Sequence, residues 1–551
     1  MFKLFTKKNG NYKDDILSGM TVALLLVPEA IAFSFIAGVN PMVGLWSGVF
    51  VGLITAIFGG RPGMICGATG AIALVAAKAF EIGKEKGVEG ISSGLFEGYS
   101  AYDIGMQYLV AALLFAGLIQ ILFGVFKLGR LVRLIPHPVM MGFVNGLAIM
   151  IALGQGLFFK QKNGLTDTGE VDLGWLAGNQ VTIMIALILF TMAVIQYLPK
   201  LTKAVPATLV AIASVFGIGL LLPDGIRDIK DILMMLSPTD VAEINSDFPV
   251  PTDLSQVPWL QKEFYMAILP ISVTIAFVGL LESLLTLQLI DDITETRGQG
   301  NRECVAQGAA NITSGMFGGM GGCATIGQSL INMKNGGRGR TSGIVGALTL
   351  LALILFGADV LMSIPVAALV GVMFMIVIST FEWSTLKSVN KVPHTELLVI
   401  ILVTAVTVYT HNLAIGVGIG VILSAIVFAA KSSTHIIVET VKDSESEDER
   451  IYAPEGILYF GSVADFHERF TATSDRKNIV IDCEKMRVAD LSGIEALNSM
   501  AEKYGKAGKN LKLRHLSADC RAMLDKAGSM VTVEVLPDDP EYSVANLKAT
   551  L

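Results

Sequence analysis

Charge is what this sequence has least of. Asp, Glu, Lys and Arg make up 16% of its 551 residues while 52% are hydrophobic, which excludes an ordinary soluble protein of this length. No polybasic block is present, so nucleic acid is not an expected partner. Cysteine is scarce too: Cys66, Cys304, Cys323, Cys483 and Cys520 form no CxxC pair, and the six histidines are scattered. That argues against both a disulfide scaffold and a structural metal centre. No Ser-His-Asp or metal-ligand constellation is visible, so an enzyme is not expected. The opening MFKLFTKKNGNYKDD does not read as a cleaved signal, because the apolar stretch after it runs on through Pro28 and Glu29.

What the sequence has in quantity is apolar segments approaching the ~20 residues that cross a bilayer. About fourteen are expected, beginning near Ile16, Val43, Met64, Tyr108, Val139, Val181, Pro206, Met266, Ala306, Cys323, Gly343, Pro365, Leu397 and Ala414. Several are short or broken by glycine. If the amino terminus is cytoplasmic, the even-numbered exits should be basic. They carry Lys127, Arg130 and Arg133, then Lys200 and Lys203, then Lys334, Arg338 and Arg340, then Lys387 and Lys391. The acidic excursions, Glu81 to Asp103 and Asp224 to Glu263, fall on the other side. The expected organisation is a cytoplasmic segment 1–15, a transmembrane domain 16–431 and a cytoplasmic domain 432–551, with both termini inside.

Two stretches stand out within the membrane region. Glu282 lies in the apolar run AFVGLLESLLTLQLI, and a carboxylate at that depth is costly enough to suggest function. Then come Gly318-Gly319-Met320-Gly321-Gly322 and Cys323-Ala324-Thr325-Ile326-Gly327. A glycine-rich entry into a short apolar segment starts a broken helix, whose free N–H groups and partial positive charge suit an anion. Gly59-Gly60-Arg61-Pro62-Gly63 followed by Cys66-Gly67-Ala68-Thr69-Gly70 echoes it in the first half, where Glu29 is the earlier acid. Repeats of seven spans, an odd number, must be inverted, so spans 3 and 10 would meet head to head near the midplane. Taken singly, glycine clusters also serve close helix packing, an acid can cap backbone, and Cys66 and Cys323 read as small apolar fillers. The coincidence of all these features favours a site.

The remainder, from about Ser432, alternates strands and helices, the pattern of a small α/β domain. Strands are expected at Gly456–Gly461, Asn478–Asp482, Leu511–His515 and Val531–Val535, with helices near Ala464–Phe470 and Ile494–Tyr504. An acidic linker, Lys442 to Arg450, precedes them.

These residues resemble the SulP, or sulfate permease, family of anion transporters along nearly the whole chain. Pro28-Glu29-Ala30-Ile31-Ala32-Phe33, Ala37-Gly38 and Pro41 to Leu45 resemble its first-span signature; Ile331-Asn332, Gly336-Gly337-Arg338 and Ser342-Gly343 resemble its tenth. The tail resembles a STAS domain, with Asp490-Leu491-Ser492-Gly493 in place of Asp-Ser-Ser-Gly. The resemblance implies a core domain (spans 1 to 4 and 8 to 11), a gate domain (spans 5 to 7 and 12 to 14), elevator-like alternating access and a homodimer. It places the anion against Ala68, Thr69, Gly70, Ala324, Thr325 and Ile326, with Phe33 closing one side. It assigns cation or proton coupling to Glu282 and Thr286 and a regulatory loop to Asp490 and Ser492; Glu29, a departure from the family, adds a second carboxylate that could take a second proton or cation.

Two departures from the family bear on substrate: Gln328 stands where many relatives have arginine, and Glu29 where a polar amide is usual. In the tail, Ser492 matches a phosphorylated position of soluble relatives, but its expected role here is a helix N-cap. The expectation is therefore a symporter of a small inorganic anion, bicarbonate or sulfate, driven by sodium or protons, in a bacterial inner membrane. No cofactor and no metal beyond sodium at Glu282 is expected, and a cytosolic partner of the STAS domain is. An uncoupled exchanger, or an anion sensor signalling through the tail, are the alternatives.

Overall fold

The computed structural model describes residues 12–536 except 93–95, 97, 130–135, 166–170, 203–205, 222–225, 237–247, 388–392, 411, 434–436, 442–448, 518–519, 523 and 525–532. Arg130, Arg133, Lys203, Asp224, Lys391, most of the acidic linker and Val531 fall outside the described residues. The chain divides into two compact units, Met1–Val421 and Ile422–Leu551.

The first half of the membrane unit contains α1 (Tyr12–Ala37), α2 (Pro41–Phe58), the short strand β1 (Cys66–Gly67), α3 (Gly70–Ser92), α4 (Ala101–Val125) and α5 (His137–Gly154). A hairpin of β2 (Lys160–Leu165) and β3 (Val171–Trp175) leads to α6 (Gly178–Leu201), α7 (Ala207–Leu221) and the short α8 (Ile229–Leu236). The second half runs α9 (Lys262–Thr294), α10 (Gly300–Met316), the strand β4 (Cys323–Ala324), α11 (Ile326–Lys334), α12 (Arg340–Met362) and α13 (Val366–Thr380). It ends with the four-residue α14 (Ser384–Lys387), α15 (His394–Thr410) and α16 (Leu413–Ser433). With α8 and α14 set aside, fourteen helices remain among the described residues, one for each expected span.

Local chemistry starts several of these helices. Asn40 accepts from the Met42 N–H with Pro41 at the first helical position of α2, and Ser100 with Asp103 forms a reciprocal capping box on α4. Among the described residues, seven helices are long and apolar enough to cross a membrane, and α7, α13, α15 and most of α16 are shorter apolar helices. The exceptions are α3, α10 and α11. The last has only nine residues, and α10 carries Arg302, Glu303, Gln307 and Asn311. Hydropathy weakens where the chain builds its interior polar contacts.

Packing sorts the helices into two groups. In one, α4 lies against α10 and α3, α1 against α12 and α2, and α9 against α3 and α4. In the other, α5 packs on α15 and α13, and α6 on α13 and α7. These groups fall within the core and gate sets that the family resemblance implies, with α1 also touching α13 between them. Small residues bring the core backbones close: a β-carbon added at Gly117 of α4 would stand 2.6 Å from the Gly308 carbonyl of α10.

The second unit holds β5 (Ile437–Val441), β6 (Glu449–Leu458), α17 (Val463–Glu468), β7 (Asn478–Asp482), β8 (Met486–Val488), α18 (Leu491–Lys506), β9 (Asn510–Arg514) and β10 (Glu534–Val535). The sheet order is β10-β9-β7-β6-β5, with β8 also on β6; β5 pairs antiparallel and the other neighbours pair parallel. Phe466, Ile479, Ile481, Leu497, Met500, Tyr504 and Leu513 form its buried core. The first expected strand is corrected: β6 begins at Glu449 and stops at Leu458, because Ser462 bonds back to the Ile457 carbonyl (2.8 Å) and turns the chain. The expected cap is also corrected. Asp490 is the N-cap of α18, its carboxylate accepting from the Gly493 N–H at 2.9 Å, so Ser492 falls within the first turn.

Asp475 ties this unit together. It accepts from Arg450 (2.6 Å), the Tyr452 hydroxyl (2.6 Å) and the Tyr504 hydroxyl, which joins β6 to α18. Burial opposes its ionisation, but the bonds from Tyr452, Tyr504 and Arg450 outweigh it and hold the carboxyl below its usual range. A lowered native pKa stabilises the fold above the unfolded value of ~3.9, and that stability is lost as pH falls through the native value. Asp475→Asn is expected to cost about 2 kcal/mol at neutral pH by removing the charged acceptor that Arg450, Tyr452 and Tyr504 share. Hydrogen exchange across β6 and α18 in the full chain, compared with wild type, checks it.

Candidate functional site

The chain enters its two interrupted segments through pinned loops. On the first approach the Gly60 N–H donates to Glu303 (2.7 Å) and Arg61 pairs with Asp291 (3.0 Å). On the second, Gly318 and Gly321 take positive φ (71° and 75°), which lets the chain reverse after α10. There the Met320 N–H donates to Ser47 (2.7 Å), the Gly322 N–H to Asn311 (2.8 Å), and Gln307 to the Gly322 carbonyl (2.6 Å).

β1 and β4 then meet antiparallel, Cys66 opposite Ala324 and Gly67 opposite Cys323. Each runs within a few residues into a helix, α3 at Gly70 and α11 at Ile326. Two helix N-termini therefore start from one crossing. A helix leaves its first N–H groups without intrahelical acceptors, and Thr325 supplies no side-chain cap. Thr325 spends its hydroxyl on the Ile65 carbonyl (3.1 Å), and Ser329 accepts from the Ile65 N–H (3.0 Å). The first turn of α11 is thus left without a side-chain cap, and a positive helix end of that kind can attract an anion.

The residues singled out in the sequence gather here. Ala68, Thr69 and Gly70 open α3, and Ala324, Thr325 and Ile326 open α11. Phe33 of α1 covers the start of α3: a β-carbon built at Gly70 would lie 2.8 Å from its ring and 3.0 Å from Ile151 of α5. Ile151 carried no signal in the sequence, since nothing distinguishes one buried isoleucine from another. At Gly327, by contrast, an added β-carbon meets nothing within 4 Å, and the residue is exposed. Space therefore opens in front of the first turn of α11.

Both acids are buried. Glu29, in α1, accepts from the Gln328 amide of α11. Glu282, in α9, accepts from the Cys323 thiol at 2.9 Å, and the Thr69 hydroxyl lies 3.0 Å from the same sulfur. Cys323 is therefore not merely a filler: it bridges the start of α3 to the carboxylate of α9. Thr286, one turn beyond Glu282, bonds its hydroxyl to the Glu282 carbonyl (2.8 Å), and Ser283 accepts from the Ala324 N–H (3.2 Å). Asp490 and Ser492 belong to the second unit.

A helical membrane unit with two broken helices meeting on a pair of crossed strands defines a polytopic membrane transporter. The chain belongs to the sulfate permease family, whose model matches residues 12–403, followed by a STAS domain at 439–534. It is 39% identical over 518 residues to the putative sulfate transporter YbaR of Bacillus subtilis, covering 94% of this chain and 97% of the relative. It is 30% identical to the bicarbonate transporter BicA of Picosynechococcus over 443 residues, 79% of this chain and 74% of the relative. Among solved structures, the transmembrane domain of a cyanobacterial BicA superposes with TM-score 0.59 at 27% identity, over 75% of this chain and 97% of that one. SLC26A9 superposes with TM-score 0.74 at 16% identity, over 94% and 86%, a likeness of fold alone. The chain is thus an integral membrane protein of a sulfate and bicarbonate anion transporter family with a STAS domain.

Proposed function

We propose that this chain is a secondary active transporter of a small oxyanion, bicarbonate or sulfate, whose passage is coupled through Glu282 to a proton or sodium gradient. The observation that carries the reading is the crossing itself: two helix N-termini start from it, and a buried carboxylate is tied to the same strand pair. An anion and a carboxylate ~6 Å apart at an effective dielectric of ~20 repel by about 3 kcal/mol. A proton or cation that neutralises Glu282 removes that repulsion, and by linkage the anion favours binding of that proton or cation to the same extent. Thr286 stands beside Glu282 for either ion.

Transport then requires the crossing to face each side in turn. The core set, α1–α4 with α9–α12, would carry it past the gate set in an elevator-like motion. In this reading both termini are cytoplasmic, the membrane domain spans 16–431, the protein is a homodimer, and the tail at 432–551 offers Asp490 and Ser492 to a cytosolic partner. The test is uptake of radiolabelled bicarbonate and sulfate into proteoliposomes under an imposed proton or sodium gradient. Drive of one anion by one gradient supports the reading; binding without flux would make the protein a sensor, and flux indifferent to both gradients an exchanger.

Gln328 makes a further prediction. In place of a fixed positive charge at α11 the chain has a neutral amide that donates to Glu29. Gln328→Arg is expected to pair with Glu29, lower the anion KM several-fold and weaken dependence on the gradient. Initial uptake rates with and without the gradient measure both.

A further inference from the structure

Thr69 Oγ1, Cys323 Sγ and Glu282 Oε2 form a hydrogen-bonded line, 3.0 Å and 2.9 Å between successive heavy atoms. Its members come from three elements: Thr69 stands at the start of α3, Cys323 lies on β4 and Glu282 on α9. All three are buried, Cys323 completely. One end of the line therefore lies where an anion would meet α3, and the other is the acid proposed to couple transport.

From this geometry we infer that Cys323 is a positioning residue that relays the state of Glu282 to the anion site, and that the coupling ion is the proton. The inference rests on the coupled-transport reading and deepens it. Hydrogen-bond arithmetic gives the mechanism. The thiol carries one hydrogen and accepts weakly, and the threonine hydroxyl carries one hydrogen and accepts as well. With Glu282 ionised, the thiol hydrogen points at Oε2 and the Thr69 hydrogen at sulfur. Both donors then aim away from the anion.

When a proton arrives on Oε2, the carboxylic acid becomes the donor to sulfur. The thiol keeps its own hydrogen and turns it to Thr69 Oγ1. The Thr69 hydroxyl, now accepting from sulfur, turns its hydrogen to the anion in front of α3. One proton has been added, no covalent bond apart from the new O–H has changed, and the anion has gained a donor while losing a repulsion. Loading the proton and loading the anion thus favour each other.

Among the described residues, the hydrogen bond to the Glu282 carboxylate comes from the Cys323 thiol, the middle of the relay. That thiol, on β4, is the titratable side chain hydrogen-bonded to it, with the buried Cys66 of β1 on the paired strand. Among the described residues, polar side chains on the helices and loops around the crossing are bonded to backbone rather than to Glu282. Gln120 of α4 donates to the Ala276 carbonyl, Gln307 of α10 to the Gly322 carbonyl, and Thr325 before α11 to the Ile65 carbonyl. The Glu303 carboxylate of α10 is turned to the Gly60 N–H, and Glu29 of α1 is engaged by Gln328. A thiol is moreover a soft group, whereas a hard cation selects oxygen ligands. Sulfur against Oε2 suits a proton better than sodium.

The experiment compares wild type, Cys323→Ala, Cys323→Ser and Glu282→Gln, each as purified full chain in proteoliposomes, with labelled sulfate and bicarbonate as probes. Wild type is expected to accumulate one anion about tenfold per unit of inward proton gradient, with an anion KM that falls as pH falls. Cys323→Ser keeps a hydroxyl donor and acceptor in the line and is expected to keep both behaviours. Cys323→Ala is expected to lose them, so that the uptake left in it no longer depends on the gradient and its KM is flat with pH. Wild-type behaviour in Cys323→Ala would overturn the relay while Glu282→Gln still tests the coupled-transport reading. Sodium drive in wild type would likewise overturn the relay and leave that reading standing. Indifference of wild type to both gradients would remove the reading itself. If Cys323→Ala does not fold, Thr69→Val removes the hydroxyl at the anion end of the line at nearly constant volume and carries the same expected loss of gradient dependence.

Discussion

Replacing Glu282 with glutamine is expected to abolish gradient-driven accumulation while leaving anion exchange measurable. The amide has nearly the shape of the carboxylic acid but never ionises, so it holds α9 in the neutral form at every pH. In wild type the anion meets an ionised carboxylate unless a proton or cation comes with it, and that requirement links the two fluxes. Glutamine removes the requirement. For one-to-one coupling, each unit of pH gradient is worth ~1.4 kcal/mol, or about a tenfold accumulation ratio. The expected result is a fall of that ratio to unity, with counterflow of labelled anion retained. Uptake and counterflow assays on the same liposomes separate the two. Persistence of accumulation in Glu282→Gln would mean that the acid is structural and coupling resides elsewhere, Glu29 being the next carboxylate to test.

The second large effect concerns the strand crossing. A β-carbon at Gly322 would be driven into the Gly67 carbonyl, a backbone group already committed to the β1–β4 pairing. A flexible side chain could turn away from such a contact, but a paired backbone cannot without opening the ladder. Gly322→Ala is therefore expected to separate β1 from β4 and disperse the two helix N-termini, with loss of transport and a several-degree fall in the melting temperature of the membrane unit. Gly327→Ala is the control, because an added methyl there meets nothing within 4 Å. Its expected thermal stability is that of wild type. Melting of both variants in detergent checks the contrast, and equal stability would mean that the crossing yields more readily than its packing implies.

Much of this architecture can be read without coordinates. A bilayer demands runs of apolar residues of set length, so each expected span has a helix, although Met64 and Cys323 mark the entries to α3 and α11 rather than their first turns. Hydropathy sees apolar character, not whether a backbone is extended, so the two-residue strands before those helices were invisible to it. The paired glycine and Cys-Ala-Thr segments were legible because an inverted repeat leaves similar residues in both halves. In the tail, the buried strand Asn478–Asp482 appears with its expected bounds, because a short β-branched run, Ile479-Val480-Ile481, bounded by Asn and Asp has few other uses. Helix α18 shows the limit: two good capping residues stand two apart, and only the backbone geometry selects Asp490 over Ser492.

The sequence by itself thus determined the class of protein, the number of spans, the place of the two broken helices and the α/β nature of the tail. Each of these depends on local composition or on comparing one stretch of chain with another. Which polar groups meet was decided only by the tertiary structure. Cys323 reads as a small apolar residue until the chain brings Thr69, 254 positions away, and Glu282, 41 positions away, to the same sulfur. Gln328 reads as a missing arginine until it is found donating to Glu29, 299 positions distant. Hydrogen bonds act over about 3 Å in space and take no account of separation along the chain, so no periodicity records them.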